Sequence, residues 1–375
     1  MLQGKKFNNT TKGPTILIAP LDWGLGHVTR CIPIIKELEK LNCNLIIAVA
    51  DVGFLLLKKE FPSLVILPAA GYKIRYSKGK GRVFFKLILQ LPKLAIKISK
   101  EHNWLKKIIH TYKPDVIISD NRLGLFNKSI TSVYITHQLE IKTGNSLFDK
   151  VASKIHNSFI KKYDQCWIPD FKENGLAGEL SHPKILQRNS VYLGALSRFE
   201  KISPTERIYD VLISISGPEP QRTIFEEIVL AQLKNFRKKV LIVRGLPAEN
   251  KKMIPTIPNI KIVNHLKSVD LNMAFMQSDM IICRSGYTTI MDLVKLDKPA
   301  ILIPTPGQAE QEYLAANLMK TKNFFSVKQK DFLLEESLLK ASVFPYVNRN
   351  DNMEIYKEVI ADFIHLVKSG DPLLQ

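Results

Sequence analysis

The chain has 375 residues, of which 45% are hydrophobic and 24% charged, so it is long enough for about two domains, each with its own core. Its 54 Lys and Arg against 35 Asp and Glu give a formal net charge of +19, which favours anionic partners such as nucleotide phosphates, nucleic acid or acidic membrane surfaces. Four dispersed cysteines without a C-x-x-C pair argue against a zinc site or a disulfide framework, and the polar start carries no signal core, which predicts a cytoplasmic protein.

Short apolar runs alternate with helical spacing through the first half of the chain. The runs cover 15–20, 44–51, 63–69, 115–120, 132–137 and 165–170. Continuous apolar strands separated by helices are typical of a parallel sheet covered on both faces. We therefore expect a first Rossmann-like domain over 1–200, followed by a polar, Pro-containing linker over 197–207.

The turn LDWGLGHVTR follows the first of these strands and opens a helix. Gly24 and Gly26 allow a tight backbone path, and the free N–H groups of the helix start favour an anion. His27 falls in the first helical turn, where the helix dipole lowers the pKa of an imidazole, as suits a general base. A surface histidine with no role is the alternative, and Arg30 suits an ion pair as well as a ligand.

A basic, apolar segment covers 71–113, with twelve Lys or Arg against the single acid Glu101. Apolar side chains, among them Phe84 and Phe85, are interleaved with the basic ones between 82 and 98. Such a pattern predicts peripheral contact with an anionic membrane, while a core helix with solvated lysines is the alternative. Since no run of about 18 uncharged apolar residues occurs, no membrane-spanning helix is expected.

The second half repeats the alternation, with apolar runs at 210–217, 239–245, 260–266, 280–286 and 299–305. A second Rossmann-like domain is expected over 208–345. The fold class is then α/β, with two facing doubly wound domains and a ligand beyond the carboxyl ends of the strands.

Two strand-to-helix turns of this half are candidates for binding phosphate. Ser216 and Gly217 lead to Arg222 at a helix start, although Pro218 and Pro220 remove N–H donors there. The second turn places Arg284, Ser285 and Gly286 before a helix. Asp292 lies about 9 Å further along that helix, a reach that suits a ribose diol. An ordinary exposed carboxylate is the alternative for Asp292.

CRSGYTTIMDL, followed by PAILIPTPGQAEQEYLAANLM, resembles the C-terminal domain of glycosyltransferase family 28, whose members have the GT-B fold. This group holds the lipid-linked N-acetylglucosaminyltransferase of peptidoglycan synthesis and the galactolipid synthases. The resemblance implies that Ser285 and Gly286 receive a UDP diphosphate and that Asp292 holds the ribose. The loop that touches the donor sugar matches Gly307, Gln308, Gln311 and Glu312. The resemblance also implies that 346–375 forms a helix returning to the first domain.

The first turn resembles the glycine loop of the same family, which implies that Gly24 and Gly26 lie on the acceptor side and that His27 activates the acceptor. The loop 135–138 resembles a strand end of this family that faces the acceptor, which makes His137 a second acceptor-side candidate. A histidine that only bonds to loop backbone groups is the alternative. We therefore expect hexose transfer from a UDP-sugar to an acceptor hydroxyl, the acceptor being a sugar or a lipid-linked group. His27 would act as base, with Asp120 as runner-up, with inversion and without a metal ion or cofactor.

Three other functions stay open from the sequence. GLGHVTRC also resembles the turn of a nucleotide-sugar hydrolase of the same fold, which uses water in place of an acceptor. Asp51 at the end of the second strand mimics an NAD ribose ligand, but Thr29 stands where a dinucleotide fingerprint has its third glycine. A non-catalytic binder of nucleic acid or of an anionic membrane surface would suit the charge, yet no nucleic-acid module is recognisable, so no nucleic-acid partner is expected.

Overall fold

A computed structural model of the chain describes residues 13–22, 24–69, 83–203, 206–234, 236–246 and 257–371. The fold consists of two compact units. The first comprises the chain up to Leu196 together with the segment from Asn352, and the second comprises Ser197–Asp351.

The first unit alternates strands and helices in the order expected from its apolar runs. Its strands are β1 (Thr15–Pro20), β2 (Asn44–Val49), β3 (Val65–Pro68), β4 (Val116–Asp120), β5 (Thr131–Ile135), β6 (Gln165–Ile168) and β7 (Ser190–Tyr192). Its helices are α1 (Leu25–Lys40), α2 (Asp51–Glu60), α3 (Val83–Tyr112) and α4 (Ser146–Ile160), and α10 (Ile355–Ser369) joins them from the end of the chain.

The sheet of the first unit is parallel, with strand order β3-β2-β1-β4-β5-β6-β7. The order reverses direction between β1 and β4, which lie side by side with Pro20 opposite Asp120. Strands such as Ile16–Ala19 are completely buried because helices cover both faces of the sheet. This reversal creates a crevice at the carboxyl ends of β1 and β4, where α/β sheets bind ligands.

The second unit repeats the design. Its strands are β8 (Tyr209–Ser214), β9 (Val240–Val243), β10 (Ile260–Val263), β11 (Ser278–Cys283), β12 (Ala300–Leu302) and β13 (Phe325–Ser326). Its helices are α5 (Gln221–Gln232), α6 (Ser268–Met276), α7 (Tyr287–Leu296), α8 (Ala309–Lys320) and α9 (Leu334–Ser342). The parallel sheet has the order β10-β9-β8-β11-β12-β13, so its reversal lies between β8 and β11.

The predicted α/β class with two doubly wound, Rossmann-like domains is confirmed by these two sheets. All the predicted strands are present, most of them shorter than their apolar runs. The predictions missed β7 and β13, which have three and two residues and carry no long apolar run. The expected linker contains Ser197, which the structure assigns to the second unit.

The final helix α10 belongs to the first unit. Phe363 is buried and lies edge-on to Trp167 of β6, with ring centroids 5.1 Å apart. The helix also packs against α1. The end of the chain therefore covers one face of the first sheet.

The segment 71–113, predicted to contact a membrane, coincides largely with α3. Residues 71–82, and the side chains of 83–94, lie outside the described residues. Among the helices of the described ranges, none combines the length and apolar character needed to cross a bilayer.

Candidate functional site

The crevice of the first unit gathers charged side chains from two strand ends. His27 follows β1 in the first turn of α1, and Asp120 is the last residue of β4. Parallel pairing of β1 with β4 brings both positions to the same sheet edge, where the Leu21 N–H donates to the Asp120 carbonyl at 3.0 Å. The topology thus joins two residues that are 93 positions apart in sequence.

Three side chains form a polar cluster in this crevice. His27 Nδ1 lies 3.0 Å from Asp120 Oδ1, and Arg30 Nε donates to Asp120 Oδ2 at 2.7 Å. A second guanidinium nitrogen of Arg30 also donates to Asp120 Oδ1. Arg30 and Asp120 are almost completely buried, whereas 14% of the His27 side chain is exposed. Arg30 and Asp120 therefore contact the Nδ1 side of the imidazole and leave the opposite side of the ring accessible.

The pKa values of the cluster follow from burial and from the neighbouring charges. Burial lowers the pKa of His27, and the Arg30 cation lowers it further, so the imidazole is neutral at pH 7. Burial alone would raise the pKa of Asp120, but the charges and hydrogen bonds of Arg30 and His27 hold it below its ordinary value. An ionised Asp120 that already accepts these hydrogen bonds is a weak base.

The hydrogen on the imidazole is assigned from its neighbours. Nδ1 faces both the Asp120 carboxylate, which only accepts, and Arg30 Nη2 at 2.8 Å, which only donates. We assign the hydrogen to Nδ1, where it is donated to the carboxylate, because Arg30 Nη2 has Asp120 Oδ1 as an acceptor of its own. Nε2 then carries a lone pair, and within the described part of the chain it has no hydrogen-bond partner.

The other acceptor-side candidates lie around this cluster. Gly24 precedes α1 with φ +72°, a left-handed conformation that favours glycine, and Gly26 lies within the first turn of the helix. His137 follows β5, is buried, and has Nδ1 3.3 Å from Arg30 Nη1. The structure thus brings His27, His137 and Asp120 together around one guanidinium. The side chain of Asp51 lies outside the described ones.

In the second unit, the two predicted phosphate turns also lie at the reversal of strand order. Ser214 of β8 is opposite Cys283 of β11, so the turns that follow these strands are neighbours. Ser216 and Gly217 are exposed, and Gly217 has φ +104°. The two turns that sequence analysis selected therefore share one edge of the second sheet.

The start of α7 is open to a ligand. Gly286 is its N-cap, and within the described part of the chain no side chain caps the helix. A Cβ built on Gly286 would meet no atom of the other described residues within 4 Å, its chain neighbours aside. Ser285 is buried, and its hydroxyl donates to the Gln311 carbonyl at 2.9 Å, which fixes the turn against the next loop. Backbone N–H groups at such a helix start suit a phosphate.

Asp292 lies on the helix that begins at this turn. It is 7% exposed and accepts a 2.5 Å hydrogen bond from Ser197 Oγ. Burial raises the pKa of Asp292 to about 6, although Arg198 and Ser197 oppose the shift. Asp292 is thus a buried carboxylate, not the exposed one that the sequence allowed as the alternative.

The two arginines of the predicted donor site are engaged with protein groups. Arg222 Nε donates to Glu219 at 2.5 Å and Nη1 donates to Glu226 at 3.0 Å. Arg284 is buried under the turn, donates to the Gln221 carbonyl at 2.8 Å and stacks on the Phe225 ring. Burial lowers its pKa to about 10, so it stays charged at neutral pH. In this structure both guanidinium groups hold the loops in place.

The predicted sugar loop is held by its own side chains. Gln311 Oε1 accepts from the Thr305 N–H at 3.0 Å, and Gln311 Nε2 donates to Gln308 Oε1 at 2.5 Å. Glu312 accepts from the Gly307 N–H at 3.0 Å. These contacts shape the loop between β12 and α8, which lies next to Ser285.

Ser197 is the residue near the site that sequence reasoning missed. It lies 95 positions from Asp292, inside a stretch interpreted as a linker, and no motif marks it. Among the described residues, no group of three or more His, Cys, Asp or Glu is placed to hold a metal ion.

The second half of the chain is similar to a domain of known proteins. Residues 221–361 match the glycosyltransferase family 28 C-terminal domain, which includes the turn at Ser285 and the loop at Gln308. The second half of the chain therefore contains a region similar to this domain. The resemblance and the enzyme class predicted from the sequence are confirmed.

Relatives extend the likeness beyond that domain. An uncharacterized glycosyltransferase of Methanosarcina acetivorans is 25% identical over 78% of this chain and 80% of its own length. The UDP-N-acetylglucosamine--N-acetylmuramyl-(pentapeptide) pyrophosphoryl-undecaprenol N-acetylglucosamine transferase of Caldicellulosiruptor saccharolyticus is 24% identical, covering 84% of this chain and 85% of the relative. Both alignments include much of the first unit.

Solved structures share the fold. The calicheamicin glycosyltransferase CalG4 superposes with a TM-score of 0.64 at 11% identity, over 96% of each chain. MurG of Acinetobacter baumannii superposes with a TM-score of 0.51 at 12% identity, over 96% of this chain and 97% of its own. At these identities the likeness concerns the fold alone.

Proposed function

We propose that this glycosyltransferase moves a hexose-type sugar from a UDP-sugar to an acceptor hydroxyl, with inversion at the sugar carbon. The observation that carries the proposal is the neutral His27, held by Asp120 at the crevice of the first sheet. A neutral imidazole with a free Nε2 is a suitable general base, worth about 10²–10⁴ in rate. The relatives support the donor class, since several are named for transfer from UDP-N-acetylglucosamine.

The chemical step is a direct displacement. His27 Nε2 takes the proton of the acceptor hydroxyl while the hydroxyl oxygen forms a bond to the anomeric carbon. The bond from that carbon to the diphosphate oxygen breaks, and UDP leaves with the electron pair. Asp120 stabilises the imidazolium that forms, because its carboxylate accepts the Nδ1 hydrogen.

The leaving diphosphate gains negative charge, which the turn at Ser285 and Gly286 stabilises through backbone N–H groups and the start of α7. Asp292 accepts hydrogen bonds from the ribose diol. The sequence contains no Asp-x-Asp motif, and main-chain dipoles stabilise the charge in place of a metal ion.

The acceptor is proposed to be lipid-linked, and the protein to work at the inner face of a membrane. The Caldicellulosiruptor relative is named for transfer to a pyrophosphoryl-undecaprenol, which supports this choice. The basic segment 71–113 supports it through its charge.

Thermal shifts with UDP, thymidine diphosphate and NAD test the donor class. We expect stabilisation by UDP above the other two, and stabilisation by NAD alone would overturn the proposal. Incubation with UDP-sugars and a lipid-linked acceptor then tests the reaction. Glycosylated acceptor is the expected product, and release of free sugar without transfer would show hydrolysis instead.

A further inference from the structure

A helix outside the candidate site carries an exposed apolar stripe. Leu147, Val151 and Ile155 of α4 are 70%, 57% and 39% exposed. Because they are spaced four residues apart, they follow one another along the same side of the helix. Single exposed aliphatic residues are ordinary, but a continuous row on an otherwise amphipathic helix marks an interaction surface.

Lysines run beside this stripe. Lys150 and Lys154 are exposed on the adjacent side of α4, and Lys161 follows the end of the helix. The single acid of α4, Asp149, accepts hydrogen bonds from the Thr143 N–H and hydroxyl. Within the described ranges, Lys150 and Lys154 form no ion pair. The solvent face of α4 is therefore apolar on one side and positively charged on the other.

A neighbouring loop continues the pattern. Gln187 donates to Asn157 of α4 at 3.0 Å, which fixes this loop next to the lysines. In the loop, Ile185 is 86% exposed, and Lys184 and Arg188 are exposed on either side. We call α4 together with 184–188 the α4 surface.

A cavity of about 440 Å³ opens beside the lysines of this surface. Lys150, Lys154 and Lys161 line it together with Ser153, Ser158, Asn157 and Glu140, so three ammonium groups stand against one carboxylate. It contains none of the residues that were predicted to bind donor or acceptor. Three ammonium groups around one opening suit the phosphate of a lipid headgroup.

We propose that the α4 surface binds an anionic lipid membrane, with Leu147, Val151 and Ile155 in the interfacial layer and the lysines against lipid phosphates. Aliphatic side chains without exposed aromatic partners suit acyl chains better than stacked bases, which argues against nucleic acid. A two-fold dimer through this face would place the same lysines of two copies together, which argues against self-association. The surface is separate from the segment 71–113.

The position of α4 connects this surface to the candidate site. His156 of α4 contacts the Tyr134 hydroxyl at 3.0 Å, and that hydroxyl donates to Asn121 at 3.0 Å, next to Asp120. The membrane-binding helix is thus fixed to the sheet edge that holds His27. Only this connection to a lipid-linked acceptor rests on the proposed function; membrane binding by α4 does not depend on it.

Sedimentation of the full chain with vesicles tests the proposal. The vesicles are phosphatidylcholine alone or phosphatidylcholine mixed with phosphatidylglycerol, at low and high salt. The first variant combines Leu147→Ser, Val151→Ser and Ile155→Ser, and the second combines Lys150→Gln with Lys154→Gln. The matched control combines Leu339→Ser in α9 with Val343→Ser directly after that helix. It removes two aliphatic side chains of the second unit that are 69% and 77% exposed.

The wild-type protein should bind the anionic vesicles, less so at high salt, and leave neutral vesicles unbound. Each α4 variant should weaken this binding by at least about tenfold, while the control binds as the wild type does. Wild-type binding by both α4 variants would overturn the proposal, because the membrane contact would then lie elsewhere, as in 71–113. Absence of vesicle binding, or a dimer lost in the first variant, would also overturn it. None of these readouts uses the transfer reaction.

Discussion

The role of His27 depends both on its position at the start of a helix and on residues that the fold brings next to it. Its place in the first turn of α1 could be read from the glycines before it. Its base character, however, depends on Asp120 and Arg30, which bury its Nδ1 side and leave Nε2 accessible. The chemical role of this residue is therefore set by a contact across two strands.

Replacement of His27 tests that role. His27→Gln should lower kcat by about 10²–10⁴ because the proton acceptor is lost, and should leave the Kd for UDP unchanged. Since burial and Arg30 lower the pKa of His27, the acidic fall of kcat in the wild type should lie below pH 6.5. His110→Gln, an exposed substitution on α3, is the control. Unchanged turnover of His27→Gln would remove the residue from the mechanism.

Asp292 should make UDP binding depend on pH. Its pKa of about 6 means that the carboxylate is protonated as the pH falls through that value, and a protonated acid accepts ribose hydrogen bonds less well. UDP affinity measured by calorimetry should therefore fall on acidification. Ser197→Ala removes a donor to the carboxylate, which raises the pKa and moves this fall to higher pH.

Asp292→Asn is the control for that titration. It should bind UDP about tenfold or more weakly at neutral pH, since a charged acceptor is lost, and its affinity should not change near pH 6. Identical pH profiles in the wild type, Ser197→Ala and Asp292→Asn would contradict the assignment of Asp292 to the ribose.

At the scale of elements, α10 stabilises a unit from which it is distant in sequence. Phe363→Ala removes a buried ring from its contact with Trp167 and should lower the free energy of unfolding of the first unit by about 3–5 kcal/mol. Denaturant titration followed by tryptophan fluorescence measures the change. Asp362→Ala, at an exposed neighbouring position, should change it little. Equal stability of the two variants would show that α10 does not stabilise this sheet.

The elements also show which features the sequence could predict. Apolar runs marked the long strands because a doubly covered parallel strand is buried on both faces, as Ile16–Ala19 are. The strands β7 and β13 are too short for this signal. The stripe of α4 was also missed, since helical spacing alone does not distinguish an apolar row facing the core from one facing solvent.

For the molecule as a whole, the strand order explains why the turns proposed to bind donor and acceptor could be predicted from the sequence. Both sheets reverse between two strands whose following turns carry the selected residues. The partners of those residues could not be predicted in the same way. The sequence predicted Arg284 to be a phosphate ligand. In the structure it donates to the Gln221 carbonyl, because the hydrogen-bond acceptors of a buried guanidinium depend on tertiary contacts.

The central claim is that main-chain amides at Ser285 and Gly286 hold the diphosphate of UDP, and calorimetric titration of UDP into Gly286→Ala tests it most directly. Gly286 has φ −72°, and apart from its chain neighbours no described residue has an atom within 4 Å of an added Cβ, so the variant should fold and melt as the wild type does. The methyl group would occupy the space where a phosphate approaches the helix start, so UDP should bind at least about tenfold more weakly. An unchanged Kd for UDP, in a variant of unchanged melting temperature, would contradict the account.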